Sequence, residues 1–140
     1  MKWVTWENIG VDRMACCWLI KKYIDQEAEF IFIPEGEQEI PVDTRGFDIP
    51  GAEFSHRNGR CSFYSFLEDY NIQDTTLKKI AQIVDEADTV QEIFLEPVAP
   101  GLDFICDGIS LNSKDDYEAL EKGFIIYDAL YAMIKRNNHL

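Results

Sequence analysis

The chain has no apolar run approaching the roughly 18 residues that mark a membrane-spanning helix, so no such span is expected. Its first residues, Met1-Lys-Trp-Val-Thr-Trp-Glu7, lack the apolar stretch and small-residue cleavage site of a signal peptide. Basic residues are scarce. Thirteen Lys and Arg face 26 Asp and Glu, for a net charge of −13 spread over both halves of the chain. A nucleic-acid partner needs a basic footprint, and anionic lipid needs the same, so both are excluded as direct partners. Histidine occurs only twice. The four cysteines include the adjacent pair Cys16 and Cys17 and show neither zinc-ligand spacing nor a disulfide framework. Reduced thiols and a cytoplasmic location are the simplest expectation. There is no internal repeat and no low-complexity tract.

What remains is a chain of 140 residues, 46% hydrophobic, long enough for one domain over 1–140 with a sizeable core. Residues 2–8 alternate Trp and Val and predict a short strand. Asp12 fits a helix N-cap, followed by Met14, Cys17 and Trp18 on one face. Glu29-Phe-Ile-Phe-Ile-Pro34 predicts a buried strand. Strand, helix and strand in that order predict a βαβ unit. Phe47-Asp-Ile49 predicts a third short strand. Helices follow from caps at Ser62 and Asp74, over residues 102–111, and from Ser113-Lys-Asp-Asp116 read as a capping box. The fold class is therefore α/β, with a small, mostly parallel sheet and a helical C-terminal half. The aromatic-rich last helix suits an interface between copies as well as a core. Residues 137–140 are expected to fray.

The chemistry concentrates in residues 44–61. This stretch is too rich in Gly and Pro for a helix, yet it carries Asp48, His56, Cys61 and three of the five arginines. Long loops of this kind inside compact domains are usually functional or disordered, and Phe47, Ile49 and Phe54 argue for order. Asp12, Asp48, His56 and Asp88 stand near strand or helix ends, where α/β proteins build sites. Three carboxylates and one imidazole suit a divalent ion such as Mn, Fe or Zn. Each also has an ordinary reading: cap, turn former, hydrogen-bonded loop residue, helix-end acid. Arg13, Arg57 and Arg60 are candidates for an oxyanion, since guanidinium pairs with such ligands in bidentate fashion. They serve equally to neutralise Asp43, Asp48 and Glu53. Arg57 and Arg60 beside Cys61 are expected to lower its pKa and favour thiolate, making Cys61, with Cys16, the redox candidate.

These residues resemble the C-terminal domain of the chromate-resistance protein ChrB. The resemblance is carried by Val11-Asp-Arg-Met-Ala-Cys-Cys-Trp-Leu-Ile20, Asp25-Gln-Glu-Ala-Glu-Phe-Ile-Phe-Ile-Pro34, Phe47-Asp-Ile-Pro-Gly51, Ser55-His-Arg57 with Cys61-Ser-Phe63, Ala87-Asp-Thr89 and Tyr127-Asp-Ala-Leu-Tyr131. Cys17 departs from the pattern, which usually has proline there. The resemblance implies a cytoplasmic domain linked to chromate resistance that binds or senses a chromate-like oxyanion. A remoter resemblance is to the DHH phosphoesterases, in which Asp, Asp, His and Asp follow in the order of Asp12, Asp48, His56 and Asp88. It implies a metal-dependent phosphoester hydrolase, although Ser55-His-Arg57 has one histidine where that superfamily has two. A thiol-based chromate reductant using Cys61 with Cys16 or Cys17 is the third reading.

Overall fold

A computed structural model describes residues 1–89 and 93–137. Strand β1 (Lys2–Trp6) lies at the centre of a three-stranded parallel sheet, flanked by β2 (Glu29–Ile33) and β3 (Thr44–Gly46). Val4 pairs with Ile31 on one side and Gly46 on the other. Trp3, Val4 and Thr5 are buried, as befits a central parallel strand covered on both faces. The third strand ends just before Phe47, short of the expected position. Asp48 has φ of +50°, a left-handed conformation that ends the strand and that Asp tolerates better than most residues.

Helix α1 (Val11–Leu19) connects β1 to β2 and is buried on all sides except at Arg13. It continues as a π-helical turn over Ile20–Ile24. It packs on each of the helices that follow: α2 (Ser62–Asp69), α3 (Thr75–Asp88), α4 (Val98–Leu111) and α5 (Asp116–Asn137). A helix buried on nearly all sides belongs at the centre of a layered domain, and this one does. Tyr127 of α5 is buried against it and donates its hydroxyl to Val11 O at 2.7 Å. Close approach of α5 requires Gly123, where a Cβ would come within 2.9 Å of Met14 Sδ.

Caps explain where the helices begin. Asp74 caps α3 as expected, accepting from Thr76 N and Leu77 N. Elsewhere the expected caps are displaced by one or two residues. Gly10 is the N-cap of α1, and Asp12 lies inside its first turn. Cys61 is the N-cap of α2, and Ser62 is its first helical residue. Asp115 accepts from Glu118 N at the start of α5, whereas Ser113 donates back to Ile109 O. Helix α4 starts at Val98, earlier than apolar spacing predicts, because Pro is tolerated in a first turn. The expected frayed end lies, beyond Asn137, outside the described residues.

The central stretch is ordered by its aromatics. Phe47, Ile49 and Phe54 are buried, and Phe54 stacks on Phe66 of α2 at 4.3 Å. Arg45 lies over Trp3 and Phe54, pairs with Glu53 through two nitrogens and donates to Tyr70 Oη. It is a packing residue.

Candidate metal centre

Parallel sheets place their ligand crevices beyond the C-terminal ends of strands whose connections leave in opposite directions. β1 and β3 are adjacent strands of this sheet, and the segments that follow them both supply cluster residues. The chain leaves β1 into α1, bringing Asp12, and leaves β3 into the central loop, bringing Asp48. The loop then returns His56 to the same edge, and α3 ends there at Asp88. The Nε2 atom of His56 lies 3.2 Å from Asp48 Oδ1, 3.2 Å from Asp88 Oδ2 and 3.5 Å from Asp12 Oδ2. One ligand atom each from Asp12, Asp48 and His56 falls within 4.8 Å of the others, the spacing of a metal-binding group.

Asp12 is almost fully buried, yet its oxygens are engaged. Oδ2 accepts Ser62 N at 2.9 Å, and Oδ1 accepts Phe63 N at 3.2 Å and the Cys16 thiol at 3.5 Å. A carboxylate inside the first turn of α1 thus satisfies two amides at the start of α2, where helix dipoles favour negative charge. Ser62 also donates its hydroxyl to Asp48 Oδ1 at 2.8 Å, and Asp85 accepts Cys61 N at 2.8 Å. Ser62 and Asp85 are supports that sequence reasoning missed. Nothing in their spacing distinguishes them from a cap and a surface acid.

The electrostatics follow from three acids around one ring. Burial, then the Asp48 charge, raises the Asp12 carboxyl above its ordinary range. Burial, then Asp12 and Asp48, raises Asp88 to about 7. Hydrogen bonds to Asp12 and Asp48 raise His56 to about 10 against the opposing effect of burial. The imidazole therefore serves as the cluster's internal cation. Its side chain is nonetheless 46% exposed and opens on a cleft of about 490 Å³ bounded by Trp6, Arg13, Pro50, Gly51 and Ser55. Gly10, Arg13 and Asp88 enclose a smaller adjoining hollow with the other cluster residues.

Arg13 alone of the three candidate arginines lines this space. It lies over the Trp6 ring, donates from Nη2 to Asp48 O, and sets its Nε 3.2 Å from Asp48 Oδ2. That Nε is close enough for ion pairing but is not aligned for a hydrogen bond. Arg57 is held by Asp69 through two nitrogens at 2.7 and 2.9 Å and by Glu53 O. Arg60 covers the Tyr64 ring and borders a separate groove on α2.

The surroundings of Cys61 oppose the expected thiolate. Its side chain is buried, and burial, then the Asp12 charge, pushes the thiol well above its ordinary pKa. The neighbouring arginines point elsewhere, so the charges it meets are carboxylates. Cys16 is raised in the same way, by burial and then Asp12.

Comparison with known proteins identifies the family. The profile of the family described as "ChrB, C-terminal domain" matches residues 3–134. Protein ChrB of Cupriavidus metallidurans is 31% identical over 131 residues, which cover 93% of this chain and 40% of that protein. The chain thus spans well under half the length of this curated relative. No solved structure matches it. The match runs from β1 almost to the end of α5 and takes in all four cluster residues, so the chain belongs to the ChrB C-terminal domain family.

Proposed function

We propose that this domain holds a divalent metal ion between Asp12, Asp48, His56 and Asp88 and receives a small chromate-like oxyanion beside Arg13. Its role is sensing or detoxification in cytoplasmic chromate resistance. The observation that supports this most is the convergence of three carboxylates, from three separate segments, on one nitrogen of His56.

The residues fit a metal. One imidazole nitrogen and three carboxylate oxygens form a mixed donor set of the kind Mn, Fe and Zn accept. With His56 neutral, as a metal ligand must be, three carboxylates and Arg13 leave a net negative charge that a divalent ion would balance. Such an ion would supply positive charge and a coordination position open to an anion's oxygen. Arg13 adds a guanidinium on the cleft side, anchored by Trp6 and Asp48. Ser62 and the amides of α2 hold Asp48 and Asp12 in place, as outer partners of metal ligands do.

The test is thermal. Chromate or sulfate should raise the melting temperature of the metal-loaded protein, because a ligand that binds only the native state stabilises it. Arg13→Ala should abolish the rise, and the Arg57→Ala, Arg60→Ala double variant should keep it. A rise that survives Arg13→Ala and chelation of the metal would remove this reading.

A phosphoester hydrolase is the second reading, favoured by a half-exposed imidazole on a cleft spacious enough for such a substrate. It requires turnover of an activated phosphodiester by metal-loaded protein, lost in His56→Ala. The thiol reductant draws no support from four buried cysteines.

A further inference from the structure

A different surface carries an independent inference. Helix α4 presents an apolar seam to solvent, with Val98, Gly101, Ile105 and Gly108 spaced alternately by three and four residues. That alternation is the pattern of a helix that packs along a second helix. Val98 and Ile105 remain 50% and 51% exposed, and Phe104 and Leu111 beside them 80% and 89%. Between this seam and the Met133 side of α5 runs an apolar groove of about 740 Å³.

We propose that this face is an interface with a second copy of the chain, formed by antiparallel packing of α4 on α4. Three observations favour that occupant. The first is self-complementarity. In an antiparallel pair centred near residue 103, Val98 meets Gly108 of the second copy and Ile105 meets Gly101. Each large side chain then enters a position where nothing lies within 4 Å of a glycine's absent Cβ. An isologous contact demands this of one patch. The second is area. Val98, Phe104, Ile105, Leu111 and Met133 together expose on the order of 600 Å², against about 800 Å² per partner in a standard interface. That stands at the upper end of the about 300–600 Å² of a monomer's largest apolar patch, which is often functional. The third is charge. The chain carries −13, yet the seam holds no ionisable side chain. The two acids of α4 lie off it, and Asp107 turns toward Gly10.

This geometry also sets the salt dependence. Two chains of like charge repel, and salt screens that repulsion without weakening apolar contact. Association should strengthen as salt rises, opposite to a dimer held by ion pairs.

The experiment is the mass of the full chain by light scattering or sedimentation across concentration and salt. The expected result is a reversible species of twice 16.2 kDa that gains population with both. Gly101→Gln with Gly108→Gln should leave a monomer. At concentrations where the parent chain is also monomeric, its melting temperature should not be lowered, since both positions open to solvent in the single chain. Ile105→Lys should have the same effect on mass. A parent chain that stays monomeric throughout, or variants that associate like the parent, would overturn the proposal.

Discussion

Asp88 ends helix α3 with its Oδ2 3.2 Å from His56 Nε2, placing a carboxylate at the negative pole of a helix. That placement works against stability. It is offset within the cluster only by His56 and, more distantly, by Arg13. Asp88→Asn should therefore stabilise the metal-free domain by about 0.3–1 kcal/mol, the usual size of a helix-pole charge effect. The same variant should bind metal more weakly. Calorimetric melting in chelator, beside metal titration, reads both; a drop in both would make Asp88 a structural residue.

Asp12 differs because both of its oxygens hold backbone amides of α2. Asn offers one acceptor oxygen and would turn an amide donor toward an N–H. Asp12→Asn should cost about 1–3 kcal/mol even in chelator, the penalty for leaving a buried donor unpaired. Urea unfolding measures it, and an unchanged midpoint would contradict the cap assignment.

The cluster sets a pH dependence whose sign follows from the raised pKa values. Asp88 keeps its proton up to about 7 when folded but loses it near its ordinary value of 3.8 when unfolded. The folded chain binds more protons across that window, so stability falls as pH rises through it. The contribution of His56 is complete below its ordinary 6.5 and is lost as pH climbs through about 10. In chelator the melting temperature should decline from pH 5 to pH 10. Metal competes with these protons, so the stabilisation it confers should grow over the same range. Melting curves with and without metal test this, and a metal-free domain that gains stability toward pH 10 would refute it.

All four thiols are buried, so native protein should react with an aromatic disulfide reagent far more slowly than protein in denaturant. Cys61→Ser should leave any chromate reduction unchanged. Fast reaction of one thiol in the native state would restore the redox reading.

Much of this was legible from residue order. Asp12, Asp48, His56 and Asp88 were marked by lying at element ends, and the alternation of β1 and the spacing in α1 were enough to predict the βαβ start. The arginines were harder. Arg13, Arg57 and Arg60 look alike in sequence, but Asp69 lies on α2 and claims Arg57, and Tyr64 takes Arg60. Those pairings depend on how the loop folds over the helix. Cys61 misled for a related reason. Its neighbours in sequence are cations, whereas its neighbours in space are Asp12, Asp85 and Asp88. Ser62 reads in sequence only as a helix cap and Asp85 as a surface acid, because what they do is hold other residues.

The most direct measurement is a calorimetric titration of Mn²⁺ or Zn²⁺ into chelator-stripped, tag-free protein, with elemental analysis of the loaded sample. The expected result is close to one ion per chain, with binding weakened at least tenfold in His56→Ala and in Asp48→Asn while both variants remain folded. Absence of stoichiometric metal, or equal binding by the parent and both variants, would contradict it.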